Sequence, residues 1–144
     1  MAGVGIYLNL IGDTEEAFAH YRSLFGGEYT TFQRMRDVPP SPDQPPVPEN
    51  EQDKVMHVEL PIVDGTALMG TDMLESMGHT LRTGNNMTIS LDLDDLGQAQ
   101  RIFDGLAEGG TDVMPLQPMF WGASWGTCCD RFGVRWMFNV RDAG

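Results

Sequence analysis

The chain has 144 residues, 41% hydrophobic and 21% charged, a composition that suits one globular domain, or two half-domains sharing a core, and excludes a disordered or fibrous chain. Nine basic residues against 21 acidic ones leave a formal charge of −12, a field that repels phosphate backbones and anionic lipid, so neither nucleic acid nor a membrane is expected as a partner. The two cysteines, Cys128 and Cys129, are sequence neighbours that cannot bridge without strain; with no basic leader segment before Asp13, this predicts a reduced, cytoplasmic protein.

Residues 4–11 are apolar and β-branched enough for a buried strand. Asp13-Thr14-Glu15-Glu16 then starts a helix, with acidic side chains at the positive end of its dipole. Ala17, Phe18, Tyr21, Leu24 and Phe25 recur at helical spacing, and Gly26-Gly27 stops the helix. Residues 28–35 form a second strand. The segment 37–53 holds six of the nine prolines, which withhold ladder hydrogen bonds, so it reads as a long exposed loop, either a solvated excursion or a lid. Strands at 54–63 and 66–71 flank the turn Asp64-Gly65. After an irregular connection around 73–85 come a strand at 86–93, a helix at 95–108 stopped by Gly109-Gly110, and strands at 113–121, 124–130 and 134–140.

The second half repeats the first. One offset of 82 residues carries Asp13 onto Asp95, Ala17 onto Ala99, Tyr21 onto Phe103, Leu24 onto Leu106 and Gly27 onto Gly109. The expected domain is therefore a single unit over 1–144, with module one at 1–72 and module two at 86–144. The fold class is α+β: two β-α-β-β-β modules whose mixed sheets curve around a cavity.

Three segments carry a family likeness: YLNLIGDTEEAFAHYRSLFGGE at 7–28, MHVELPIVDGTALMGTD at 56–72 and MFWGASWGTCCDRFGVRWMFN at 119–139. With Trp121-Gly122, Gly126, Asp130, Phe132-Gly133 and Trp136 to Asn139 in order, the chain resembles the PhnB-like branch of the vicinal oxygen chelate superfamily, which comprises glyoxalase, bleomycin-resistance and dioxygenase proteins. The resemblance implies a homodimer with ligand cavities inside curved sheets. It also implies a divalent metal, held in active members by four His, Glu or Gln side chains from the first and last strands of each module. Some relatives are labelled as ubiquinone methyltransferases; the absence of a glycine-rich nucleotide loop in a doubly wound sheet argues against that activity.

Counting by the family spacing, seven residues before each helix-start acid and four after each turn glycine, places those ligand positions at Ile6, Thr88, Met69 and Met137. None is a hard-metal ligand, since a thioether is soft and isoleucine offers no lone pair. By alternation, Ile6, Leu8 and Leu10 would line the cavity with Met69 and Met137, while Thr88, Ser90 and Asp92 supply a polar counter-wall.

Other candidates stand beside these. His57 and Glu59 share a strand face and could act as replacement ligands, as an acid/base pair, or merely as a polar pair. Trp121, Trp125 and Trp136 could stack on a planar ligand or serve ordinary core or dimer packing, and parity makes Trp136 core. Arg135 could clamp an anion or form a cross-strand ion pair. Asp72 could touch ligand or cap a turn. Cys128 and Cys129 lack an evident activating base.

The expected function is a metal-independent small-molecule-binding protein of the bleomycin-resistance type, with no cofactor. The alternative is a metal-dependent glyoxalase- or dioxygenase-like enzyme using replacement ligands.

Overall fold

Asp13 and Asp95 each open a twelve-residue helix, but only Asp95 caps its own: its Oδ1 accepts from the Gln98 amide at 3.0 Å. A computed structural model describes residues 2–141 and gives the order β1 (Ile6–Leu10), α1 (Thr14–Phe25), β2 (Thr31–Arg34), β3 (Val55–Val63), β4 (Thr66–Asp72), then β5 (Ile89–Leu93), α2 (Leu96–Ala107), β6 (Thr111–Pro118), β7 (Ser124–Cys129) and β8 (Arg135–Val140). The chain divides into two compact units, Met1–Leu81 and Arg82–Gly144, each with one helix and one four-stranded sheet. The sheet orders are β1-β4-β3-β2 and β5-β8-β7-β6; β1/β4 and β5/β8 are parallel and every other pair antiparallel. The α+β class and the doubled module order read from the sequence are those of the structure.

In unit one, α1 packs on β3 and β4 through Ala17, Phe18 and Tyr21, which with Leu10, Val58, Leu60 and Leu68 are buried. Helix and sheet approach so closely at Gly70 that a Cβ there would lie 2.6 Å from the Phe18 ring. The N-terminus of α1 is capped from a distance. Asp72, at the end of β4, accepts from Thr14 Oγ1 at 2.6 Å, from the Gly12 and Thr14 amides at 2.9 and 3.2 Å, and through Oδ2 from the Val55 amide at 2.9 Å. Asp72 therefore caps not the turn that follows β4 but the first turn of α1: it is buried and ties the β1–α1 junction to the start of β3. In unit two, Ile102, Phe103 and Leu106 of α2 are buried with Leu91, Trp136, Phe138 and Val140, and the Phe103 and Phe138 rings meet edge to face. Trp136 is core, as parity predicts, and its indole N–H donates to Asp130 at 2.9 Å.

The 64–65 hairpin has positive φ at both residues, the geometry that Asp-Gly favours. Two predicted strands end early. Strand β6 stops at Pro118 because the Met119 amide turns back to the Ala123 carbonyl, 2.8 Å away, so 119–122 are turn. Strand β2 gives way at Met35 to a 3-10 turn that opens the proline loop. That loop is pinned at its neck by the Arg36–Asp53 ion pair and by the buried Glu51, which accepts from Ser76, and its prolines line a hollow of about 400 Å³. Among the described residues no helix is long and apolar enough to cross a membrane.

Candidate functional site

Residues paired across neighbouring strands share a face, so the registers decide which side chains meet. In unit one Tyr7 lies opposite Met69, Met69 opposite Glu59, Asn9 opposite Thr71 and Gln33 opposite His57. These residues project from the side of the sheet opposite Gly70 and Phe18, and so form its open face. There the Tyr7 hydroxyl lies 3.2 Å from His57 Nδ1, with the two rings stacked at 5.6 Å. His57 Nε2 lies 3.5 Å from Glu59 Oε1, and Thr30 Oγ1 donates to the other carboxylate oxygen at 3.0 Å. Four side chains from β1, the β2 edge and β3 thus form one chain of proton-sharing groups. Such a chain can hold a polar ligand atom or pass a proton.

The expectation for β1 needs correcting. Ile6 and Leu8 pair with Leu68 and Gly70, and therefore face α1, not the open side. The reason lies in the strand-to-helix connections: three residues separate β1 from α1, but two separate β5 from α2. The helices repeat at the offset of 82, whereas the strands repeat one residue further on, and a one-residue slip turns a strand over. Tyr7, missed by that count, was signalled by the alternation of Tyr7 and Asn9 with Leu8 and Leu10.

Unit two follows the predicted parity. Ser90 pairs with Met137 and Met137 with Thr127; Asp92 pairs with Asn139 and Asn139 with Trp125; all face away from α2, while Thr88 lies just before the start of β5. Trp121, in the β6–β7 turn, donates its indole N–H to Asn139 Oδ1 at 3.3 Å, and Asn139 Nδ2 donates to Asp92 Oδ1 at 3.4 Å. Arg135 is on the same face but is held by Asp112 at 3.1 Å, the ion-pair alternative. Burial pushes the Cys128 thiol up to about 12, aided by the neighbouring Asp130, so it stays protonated and is no nucleophile at neutral pH.

The positions that the resemblance assigns to metal ligands follow from the registers. Since Tyr7 corresponds to Ser90, the counterpart of Thr88 is Gly5, and the Met69 methyl occupies the space beside it: a Cβ on Gly5 would lie 2.7 Å from Met69 Cε. The four positions are then Gly5 and Met69 on one face, Thr88 and Met137 on the other, which offer one hydroxyl and two thioethers. That donor set does not fit a hard divalent ion. His57 and Glu59 supply two donors, fewer than such an ion needs, and among the described residues no group of three or more His, Cys, Asp or Glu could hold a metal.

The chain belongs to the glyoxalase/bleomycin resistance protein/dioxygenase superfamily, whose model matches residues 7–138. Protein YjdN of Escherichia coli K12 is 30% identical over 93% of this chain and 92% of its own length. The crystal structure of PA1353 from Pseudomonas aeruginosa superposes with a TM-score of 0.81 at 36% identity, covering 99% of both chains. The PhnB protein of Bacillus cereus shares the fold, with a TM-score of 0.74 at 22% identity over 96% of this chain and 99% of its own.

Proposed function

We propose that this is a small-molecule-binding protein of the glyoxalase/bleomycin-resistance type that works without the superfamily's metal. What supports the reading is that Gly5, Met69, Thr88 and Met137 stand where the resemblance would put the four metal ligands, while the open sheet faces keep ordered polar side chains. Ligand contacts are assigned to His57, Glu59 and Met69, now joined by Tyr7, on one face, and to Ser90, Thr88, Met137, Trp125 and Trp121 on the other. Ile6 and Leu8 support the sheet from beneath, and Arg135 is kept by Asp112. The protein acts as a cytoplasmic homodimer in this reading, which sedimentation of the purified protein would check.

A thermal-shift screen of small organic compounds and divalent metals, with titration calorimetry of the hits, tests the proposal. Stabilisation by organic compounds at unchanged metal content is the expected result. Stabilisation by a divalent metal alone, or a stoichiometric metal in the purified protein, would overturn it.

The Tyr7–His57–Glu59 contacts favour a second reading, an enzyme that moves a proton on a bound substrate. Its signature would be turnover abolished by His57→Ala with binding retained.

A further inference from the structure

We infer that the open face of unit two selects planar organic cations, with Asp92 as their charge partner and Trp121 and Trp125 as their aromatic contact. The inference rests on the small-molecule reading above and names the ligand class of that face.

The residues form one row. Asp92, Asn139, Trp125 and Gln117 lie side by side across β5, β8, β7 and β6. The Asn139 amide is fixed at both ends, accepting from the Trp121 indole and donating to Asp92. This couples the carboxylate to the indole that overhangs the row. Asp92 Oδ1 thus receives one long, neutral hydrogen bond, and the residue is otherwise exposed. Arg135, a cation of this face, is paired with Asp112. Asp92 thus stands in one row with Trp125 and is linked through Asn139 to Trp121.

Both features select the same partner. Indole faces are electron-rich and attract cations, more strongly as water is displaced. A neutral aromatic stacked over the row would strip water from Asp92 and return nothing, and an anion would meet a like charge within a chain of net charge −12. A bare metal ion would lack a ligand set, since among the described residues no group of three or more His, Cys, Asp or Glu could hold one and the Asn139 amide oxygen already accepts from Trp121. A delocalised cation on a flat ring satisfies the carboxylate and the indoles together. The polarisable Met137 sulfur, in the next row with Ser90, extends the contact surface.

The test uses the full-length protein and three probes of matched ring size: N-methylquinolinium, quinoline at a pH where it is neutral, and 1-naphthoate. Calorimetry should show the cation binding about tenfold more tightly than quinoline, a preference that shrinks as salt is raised, with naphthoate weakest. Asp92→Asn should bring the cation down to quinoline's affinity, and Asp92→Glu should restore much of the difference. Trp125→Leu should weaken cation and quinoline alike. If quinoline or naphthoate binds as tightly as the cation, or if Asp92→Asn leaves the preference intact, the cation assignment fails while the small-molecule reading stands. If none of the three binds and the wider organic screen also shows no stabilisation, both fail.

Discussion

Tyr7 and His57, fifty residues apart in sequence, stack on one another with the phenol oxygen 3.2 Å from Nδ1. If the phenol O–H donates to Nδ1, the proton on the other ring nitrogen points toward Glu59, so Tyr7 selects the tautomer. Tyr7→Phe should shift the His57 ring signals in an NMR spectrum. Because the pair is partly exposed, the same change should cost stability only about 0.5–1 kcal/mol in a urea melt. Unmoved His57 resonances would show that no such bond persists in solution.

Asp72 accepts four hydrogen bonds from two separate chain segments while buried, so its loss should be severe. Asp72→Ala should cost about 3 kcal/mol or more, because it strands the Gly12, Thr14 and Val55 donors. Asp72→Asn should cost less, since one oxygen still serves Gly12 and Thr14, but its NH2 would face the Val55 amide. Denaturant unfolding of the two variants checks the order.

Gly70→Ala should be destabilising by about 1–3 kcal/mol, since the new methyl meets the Phe18 ring at 2.6 Å and the Leu8 carbonyl at 3.3 Å. Phe18→Leu should relieve part of that cost. The double variant should therefore lose less than the two single changes combined.

Asp13 holds a carboxylate oxygen that is buried without a partner, and burial, with repulsion from Asp72, raises its pKa above the usual value. A raised carboxyl pKa means the folded state binds its proton more tightly than the unfolded chain does. The group therefore opposes folding at neutral pH, and the cost fades as pH falls through the folded and then the unfolded value. Asp13→Asn should stabilise the protein at pH 7, with the gain vanishing in acid. Melts from neutral to acidic pH would decide this, and a gain that persisted in acid would point to another cause.

The two neighbouring thiols should react differently. Cys129 is half-buried on the open face, whereas Cys128 is buried with its pKa pushed up to about 12. Iodoacetamide at pH 8 should label Cys129 first, and mass spectrometry of Cys129→Ser should find little fast labelling left.

The periodic part of the fold was legible in the sequence. Helix faces at Phe18, Tyr21, Phe103 and Leu106, the Asp64-Gly65 turn and the core place of Trp136 all follow from local spacing and residue chemistry. The face presented by β1 was not legible from the repeat, because the helices and the strands repeat at different offsets and a count anchored on the helix starts inherits the helix offset. The alternation within β1 carried the right answer, since Leu8 and Leu10 are the apolar partners a helix covers. Contacts between distant segments, such as Tyr7 with His57 or Asp72 with Thr14, depend on strand order, and no single stretch of sequence encodes them.

Gly12, at φ +87°, sits in the longer of the two strand-to-helix connections and donates its amide to Asp72. The two halves reach the same strand orientation through connections of different length. A chain shortened by that one glycine would match the second half's spacing but lose the amide that Asp72 accepts from. The extra residue is absorbed in the connection, and β1 keeps toward α1 the same face that β5 keeps toward α2.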